Sequence, residues 1–226
     1  MSWLNRPEQK STNPATKFLE WSSNDKCFKY YDKTKGENVL HPLPLKFVIL
    51  EHYHTVKGWN DASESGIYSN EVYGIGTEPI TVKSFKGGEI AEGLYKDIKT
   101  KVNNAGGKYH RSIYAVTNDL EIINISIKGS AVSSYSDFVK EFGDYNFDKH
   151  WIEVSEAKDG KKGSIKYSTP VFKKSTAIKD ASKIAPFAET LQDYITQYTS
   201  KSTERVASEV DKYEEATNEE DENLAF

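Results

Sequence analysis

Leu45-Lys46-Phe47-Val48-Ile49-Leu50-Glu51-His52-Tyr53-His54-Thr55-Val56-Lys57-Gly58-Trp59 opens as a nearly continuous apolar run and closes as a mixture of polar and apolar residues. Its β-branched and aromatic side chains suit a pleated backbone, and it is far longer than the usual strand of about five or six residues. Such a strand is buried on both faces at one end and emerges into solvent at the other.

Toward the C-terminus, a polar loop at 60–66 leads into a strand at 67–73, and 80–86 alternates cleanly as another until Gly87-Gly88 breaks it. Residues 89–102 read as the best helix, with Ile90, Leu94, Ile98 and Val102 on one i, i+4 row and Gly106-Gly107 as the stop. Residues 109–116 and 120–129 make a hairpin about Thr117-Asn118-Asp119, and a short amphipathic helix at 134–142 follows, ending at Gly143. A second hairpin, 150–156 with 164–172, is read around an Asp159-Gly160 turn flanked by lysines, and 186–198 is a terminal helix.

Toward the N-terminus, 27–31 and 39–40 pair across a turn at 32–38. Residues 1–25 are a polar arm whose Phe18 and Trp21 rest on the body, 26–200 form one domain, and 201–226 a disordered acidic tail. Short turns between neighbours argue antiparallel pairing. The expected fold class is mainly β with inserted and C-terminal helices, an elaborated OB-fold-like antiparallel barrel with a helix after the third strand.

The 226 residues suffice for one substantial core, and aromatics reach 12 %, with 14 Tyr, 10 Phe and 4 Trp. A single cysteine, Cys27, excludes an internal disulfide framework and a multi-thiolate zinc site. No apolar run is long enough to span a bilayer and no signal-peptide core opens the chain, so a soluble, cytoplasmic protein without membrane contact is expected. The net charge of −4 hides an asymmetry: the chain from Glu204 onward carries 9 acidic and 2 basic residues, leaving 28 basic against 25 acidic residues before it. A basic body with an acidic tail fits a nucleic-acid partner.

Phosphate-binding, nucleophile-elbow and His-Glu-x-x-His motifs are absent. His52 and His54 share a strand face, but two histidines without a third placed ligand read as structural side chains. Phe85-Lys86-Gly87-Gly88-Glu89, opening a helix, would be a backbone-phosphate contact rather than a hydrolytic loop. No enzymatic activity, no cofactor and no metal are expected.

The positive signal is basic residues interleaved with rings on strands. Lys57, Trp59, Tyr68 and Tyr73 surround the first loop, and Lys83, Phe85 and Lys86 follow on the third strand. Tyr109, Arg111, Tyr114 and Lys128 lie on the next hairpin, and Lys161 and Lys162 at the last turn. Cations track phosphates while ring faces stack on bases, which is how single strands are held without sequence preference. Taken one at a time, a strand Tyr or Phe is more often core than platform. Because Tyr109 and Arg111 share a face and Tyr114 takes the other, these residues do not all fit one groove.

The chain closes on Glu214-Glu215-Ala216-Thr217-Asn218-Glu219-Glu220-Asp221-Glu222-Asn223-Leu224-Ala225-Phe226, six acids in thirteen residues before an apolar hook. The blander reading is a solubilising extension. Glu219, Glu220, Asp221, Glu222, Leu224 and Phe226 are read instead as a partner-binding tail that also imitates nucleic acid.

Tail, ring-and-lysine strands and element order together resemble the replicative single-stranded DNA-binding proteins of bacteria and tailed phages, which end in acidic residues and a terminal Phe. The bacterial pattern has a proline before that Phe, and Leu224-Ala225-Phe226 lacks it. Residues 18–129, with Phe28-Lys29-Tyr30-Tyr31, Gly66-Ile67-Tyr68-Ser69 and Phe85-Lys86-Gly87-Gly88, resemble the single-stranded DNA-binding proteins of crAss-like phages. The resemblance implies an OB-fold, cooperative coating of single-stranded DNA in replication and recombination, recruitment of replication or recombination proteins through the tail, and residence in the host-cell cytoplasm. A homo-oligomer is compatible with it. The alternative is a non-catalytic protein–protein interaction or virion-assembly module whose tail docks a partner.

Overall fold

The computed structural model describes residues 13–143 and 146–200; the tail residues Glu219, Glu220, Asp221, Glu222, Leu224 and Phe226 lie outside them. The organising strand is β4 (Leu45–Asn60), which forks the sheet. Over most of its length one edge pairs antiparallel with β8 (Gly107–Thr117), from Phe47↔Thr117 to Gly58↔Gly107. Its other edge changes partner. The first residues pair with β10 (His150–Lys162), Phe47 opposite Ile152, and the last with β5 (Ser65–Ser69), Trp59 opposite Gly66.

From β5 the sheet runs through β6 (Ile80–Ser84) to β7 (Gly88–Gly93). From β8 it runs through β9 (Ile122–Lys128), β1 (Lys17–Ser22), β2 (Cys27–Asp32) and β3 (Glu37–His41). β11 (Ile165–Ala177) pairs with β10. The protein is thus mainly β, a mixed eleven-stranded sheet with helices α1 (Tyr95–Asn104), α2 (Ser130–Phe142) and α3 (Ala185–Ser200). The path β3-β2-β1-β9-β8-β4-β5-β6-β7 is open, so the pairing described does not close the expected barrel.

Three departures from the sequence reading have local causes. Residues 17–22, read as part of an arm, form β1 inside the sheet, antiparallel to β2 and parallel to β9, with Leu19 opposite Ile125 and fully buried. The helix read over 89–102 starts only at Tyr95. Gly87 and Gly88 form a tight turn, Gly88 at φ +74°, that returns the chain onto β6, and Ala91 packs opposite Val82. No helix N-terminus therefore stands at Glu89, and the phosphate contact read there is withdrawn. Asp159-Gly160 is not a turn either. Gly160 pairs with Tyr167, whose ring lies where a Cβ at 160 would be, and the chain reverses at Gly163.

A bulge between Ile49 and Glu51 switches the side-chain parity of β4. Before it, Leu45, Phe47 and Ile49 join Ile113, Ile123, Ile125 and Ile127 under α2, which contributes Tyr135 and Phe138. Past it, odd-numbered Tyr53 lies on the opposite face, with Val48, Tyr114 and Val116 under Leu191 and Ile195 of α3. The far end of β4 holds a third cluster, Val56, Ile67, Ile80 and Val82 against Ile98 and Val102 of α1. Cys27 is buried and free. Among the described residues no helix is long and apolar enough to cross a membrane.

Candidate nucleic-acid interface

Strand register assembles part of the expected site on the α3 face of the sheet, where β4, β5 and β6 leave the cover of that helix. Lys57 lies opposite Lys108 on β8, and Tyr68 opposite Lys83 on β6. Because Gly58 pairs with Ile67, Lys57 and Tyr68 are neighbours too, so Lys108, Lys57, Tyr68 and Lys83 form one row across four strands. Directly opposed lysines repel, and an anion laid along the row relieves that repulsion.

The next row carries rings. Trp59 lies opposite Gly66, and Phe85 donates its backbone N–H to the Gly66 carbonyl at 3.1 Å, so no side chain separates the two aromatics. Phe85 stacks on Tyr68 with centroids 4.5 Å apart and planes 21° apart. Trp59, Tyr68 and Phe85 are half-buried and belong to none of the three apolar clusters. Lys128, exposed and opposite His110, extends the same face on β9. Lys86 stands at the rim, its Nζ 3.3 Å from the Glu64 carbonyl.

At the edge toward α3 a recess is lined by Lys57, Tyr68, Glu71, Tyr114, Tyr194 and Tyr198. Burial raises the pKa of the Glu71 carboxyl, against the opposing pull of its hydrogen bond from Ser112 and of nearby Lys57. Tyr114, expected on the platform, is buried there: its hydroxyl accepts from Asn13 Nδ2 at 3.1 Å and donates to Glu71 Oε2 at 3.2 Å. It is core, so its ring face is closed to a base.

The remaining residues named from sequence lie elsewhere. Tyr73 is 50 % exposed in the loop after β5, its hydroxyl 3.0 Å from that of Tyr53. Lys161 and Lys162 end β10, which runs antiparallel to β4 past Leu45. The strand between Leu45 and Lys57 alone spans up to roughly 40 Å at about 3.3 Å per residue, so those lysines sit at the opposite end of the molecule.

Tyr109 and Arg111 are on the other face, opposite Val56 and His54. Arg111 Nη1 donates to His54 Nε2, which leaves His54 Nδ1 to donate to the Tyr109 hydroxyl at 2.5 Å. His52 Nδ1 is 2.6 Å from the hydroxyl of Tyr135. Burial, reinforced by the Arg111 charge, lowers both imidazoles to about 4. Unfolded histidines protonate near 6.5, so between about pH 6.5 and 4 the unfolded chain binds the extra protons. Stability present above pH 6.5 should fall progressively as pH drops toward 4. Urea unfolding at stepped pH measures this; His54→Gln should flatten the acid limb, and an unaltered limb would refute the assignment.

Lys108 and Glu71 were not legible as site residues. The sequence pattern starts that strand only at Tyr109, and Glu71 acquires its role only from the strands and the helix α3 that enclose it. Among the described residues no group of three or more His, Cys, Asp or Glu is placed to hold a metal ion. Comparison of the chain with protein-family models, with curated proteins and with solved structures finds no match to any of them.

Proposed function

We propose that the protein is a non-catalytic, sequence-independent single-stranded DNA-binding protein acting in phage DNA replication and recombination, and that Lys108, Lys57, Lys83 and Lys128 take phosphates while Trp59, Tyr68 and Phe85 take bases. The observation that carries this reading is the alignment of a lysine row and a ring row on one face of β4, β5 and β6, outside every apolar cluster. Unpaired bases stack on such rings whatever their identity. An OB-like origin for the sheet belongs to the same reading, supported by the long bulged β4 passing between two sub-sheets.

Titration of intrinsic fluorescence with oligo(dT) tests the proposal. Quenching should saturate and weaken with salt at a log–log slope of roughly −3, about −0.7 for each of the four lysines. Absence of quenching at low salt would favour the protein-docking module instead.

In this reading the acidic tail competes for the lysine row, and DNA releases it to replication or recombination proteins. The support is positional: Tyr194 and Tyr198, near the end of α3, line the recess beside Lys57 and Tyr68, so the chain continues from the platform's edge. Removing residues 214–226 should tighten DNA binding at low salt, with the gain fading as salt screens both competitors. Equal affinity with and without the tail would rule out competition.

A further inference from the structure

Arg111 is the one arginine among the described residues, and the platform does not use it. It stands half-buried on the α2 face, where the core under α2 gives way to the core under α1. On that face it is grouped with His52 and His54 of β4 and Tyr109 of β8. Tyr95 of α1 lies on one side, its ring centroid 5.6 Å from that of Tyr109. Phe147 lies on the other, 5.6 Å from the His52 ring.

None of the ion pairs among the described residues involves Arg111. Its hydrogen-bonding partners are the neutral His54 ring and the Tyr109 hydroxyl. Among the described residues this partly buried guanidinium meets only neutral groups, without the counter-charge that normally offsets desolvation. Its planar fork matches two oxygens of a phosphate, and the Tyr109 hydroxyl and His54 ring add polar groups beside it. The Tyr95 ring, beside Tyr109 on the same face, offers an aromatic contact to a flat heterocycle attached to that phosphate.

We propose that this cluster binds the phosphate monoester of a nucleotide, free or at the end of a strand, with Arg111 taking the phosphate and Tyr95 packing on the base. The site is independent of the platform, because it lies on the opposite face of β4 and β8 and needs no polynucleotide.

The test is imidazole ¹⁵N–¹H NMR on the full chain, titrated with inorganic phosphate and with dTMP. The His54 signals should move with both ligands, and dTMP should act at least about tenfold more tightly through its base contact. Arg111→Gln should abolish the response, and Arg111→Lys should retain a weaker one. Should Arg111→Gln fail to fold, Tyr95→Phe and Tyr95→Ala at the partly buried start of α1 keep the question open to test: Tyr95→Ala should preserve the phosphate response and lose the preference for dTMP, and Tyr95→Phe should keep both.

Oligo(dT) with a 5′-phosphate or a 5′-hydroxyl then separates the two sources. Tighter binding of the phosphorylated strand identifies a strand end, and a response to dTMP alone identifies a free nucleotide. His54 signals unmoved by millimolar phosphate and dTMP, or moved equally in Arg111→Gln, overturn the proposal. Failure of the platform reading would show separately, as lost quenching by the 5′-hydroxyl strand.

Discussion

Replacing Trp59 and Phe85 together by Ala should weaken oligo(dT) binding at least about thirtyfold, since each stacked ring contributes roughly 1–3 kcal/mol. The two side chains flank Gly66 on adjacent strands and pack into no core cluster, so their removal opens no internal cavity. The thermal midpoint should therefore move little while affinity collapses. Phe85 also supports the Tyr68 ring, so the single Phe85→Ala change should exceed its own stacking share, and the double variant should not be additive. Leu40→Ala is the control: Leu40 is 51 % exposed on β3, and its loss should leave affinity unchanged. Lys57→Gln and Lys83→Gln should act differently, each reducing the salt slope by about 0.7. Wild-type affinity in the double ring variant would remove both aromatics from the interface.

Phe47→Ala should cost about 3–5 kcal/mol of stability, a large part of the roughly 5–15 kcal/mol available to a domain. Phe47 is completely buried at the fork, opposite Thr117 on one side and Ile152 on the other. Its ring belongs to the cluster that includes Tyr135 of α2 and Phe172 of β11. A void there loosens the joint that holds the β10–β11 hairpin to the body as well as the core itself. Urea unfolding should show a lower midpoint, and Phe47→Leu should recover most of the loss because it refills much of the volume. A deficit below about 1 kcal/mol would mean that the fork is not the main packing centre.

Much of the sheet was legible because its strands are apolar in the right places. The run at 45–50 announced a doubly covered strand, and the alternation Val82-Lys83-Ser84-Phe85 put Lys83 and Phe85 on one face. The parity switch in β4 was not legible, since Val48-Ile49-Leu50 is apolar throughout and the extra residue of a bulge leaves no mark in such a run. Ile90 and Ile98 satisfy a helical row as well as a strand followed by a helix. The turn at Gly87-Gly88 decided between them. Likewise Asp159-Gly160 carries a turn signature, yet the ring of Tyr167 needed the space above Gly160 more than the chain needed to reverse there.

The platform was half legible for a related reason. Local alternation reports which residues of one strand share a face, but only inter-strand register brings Lys57 beside Tyr68 and leaves Arg111 behind the sheet. Tyr114 carried no sign of its fate, because its burial depends on α3, seventy residues later in the chain.

The parallel pairing of β1 with β9 has a consequence for biosynthesis. β1 finds β2 as soon as both have left the ribosome, but its other edge stays unsatisfied until Ile123 and Ile125 emerge, about a hundred residues later at roughly 5–20 residues per second. For those seconds Leu19 and the open edge of a nascent hairpin face the crowded exit site, a template for any passing strand. Lys17 and Glu20, set along that edge, are the charges that guard it while the partner is still being made.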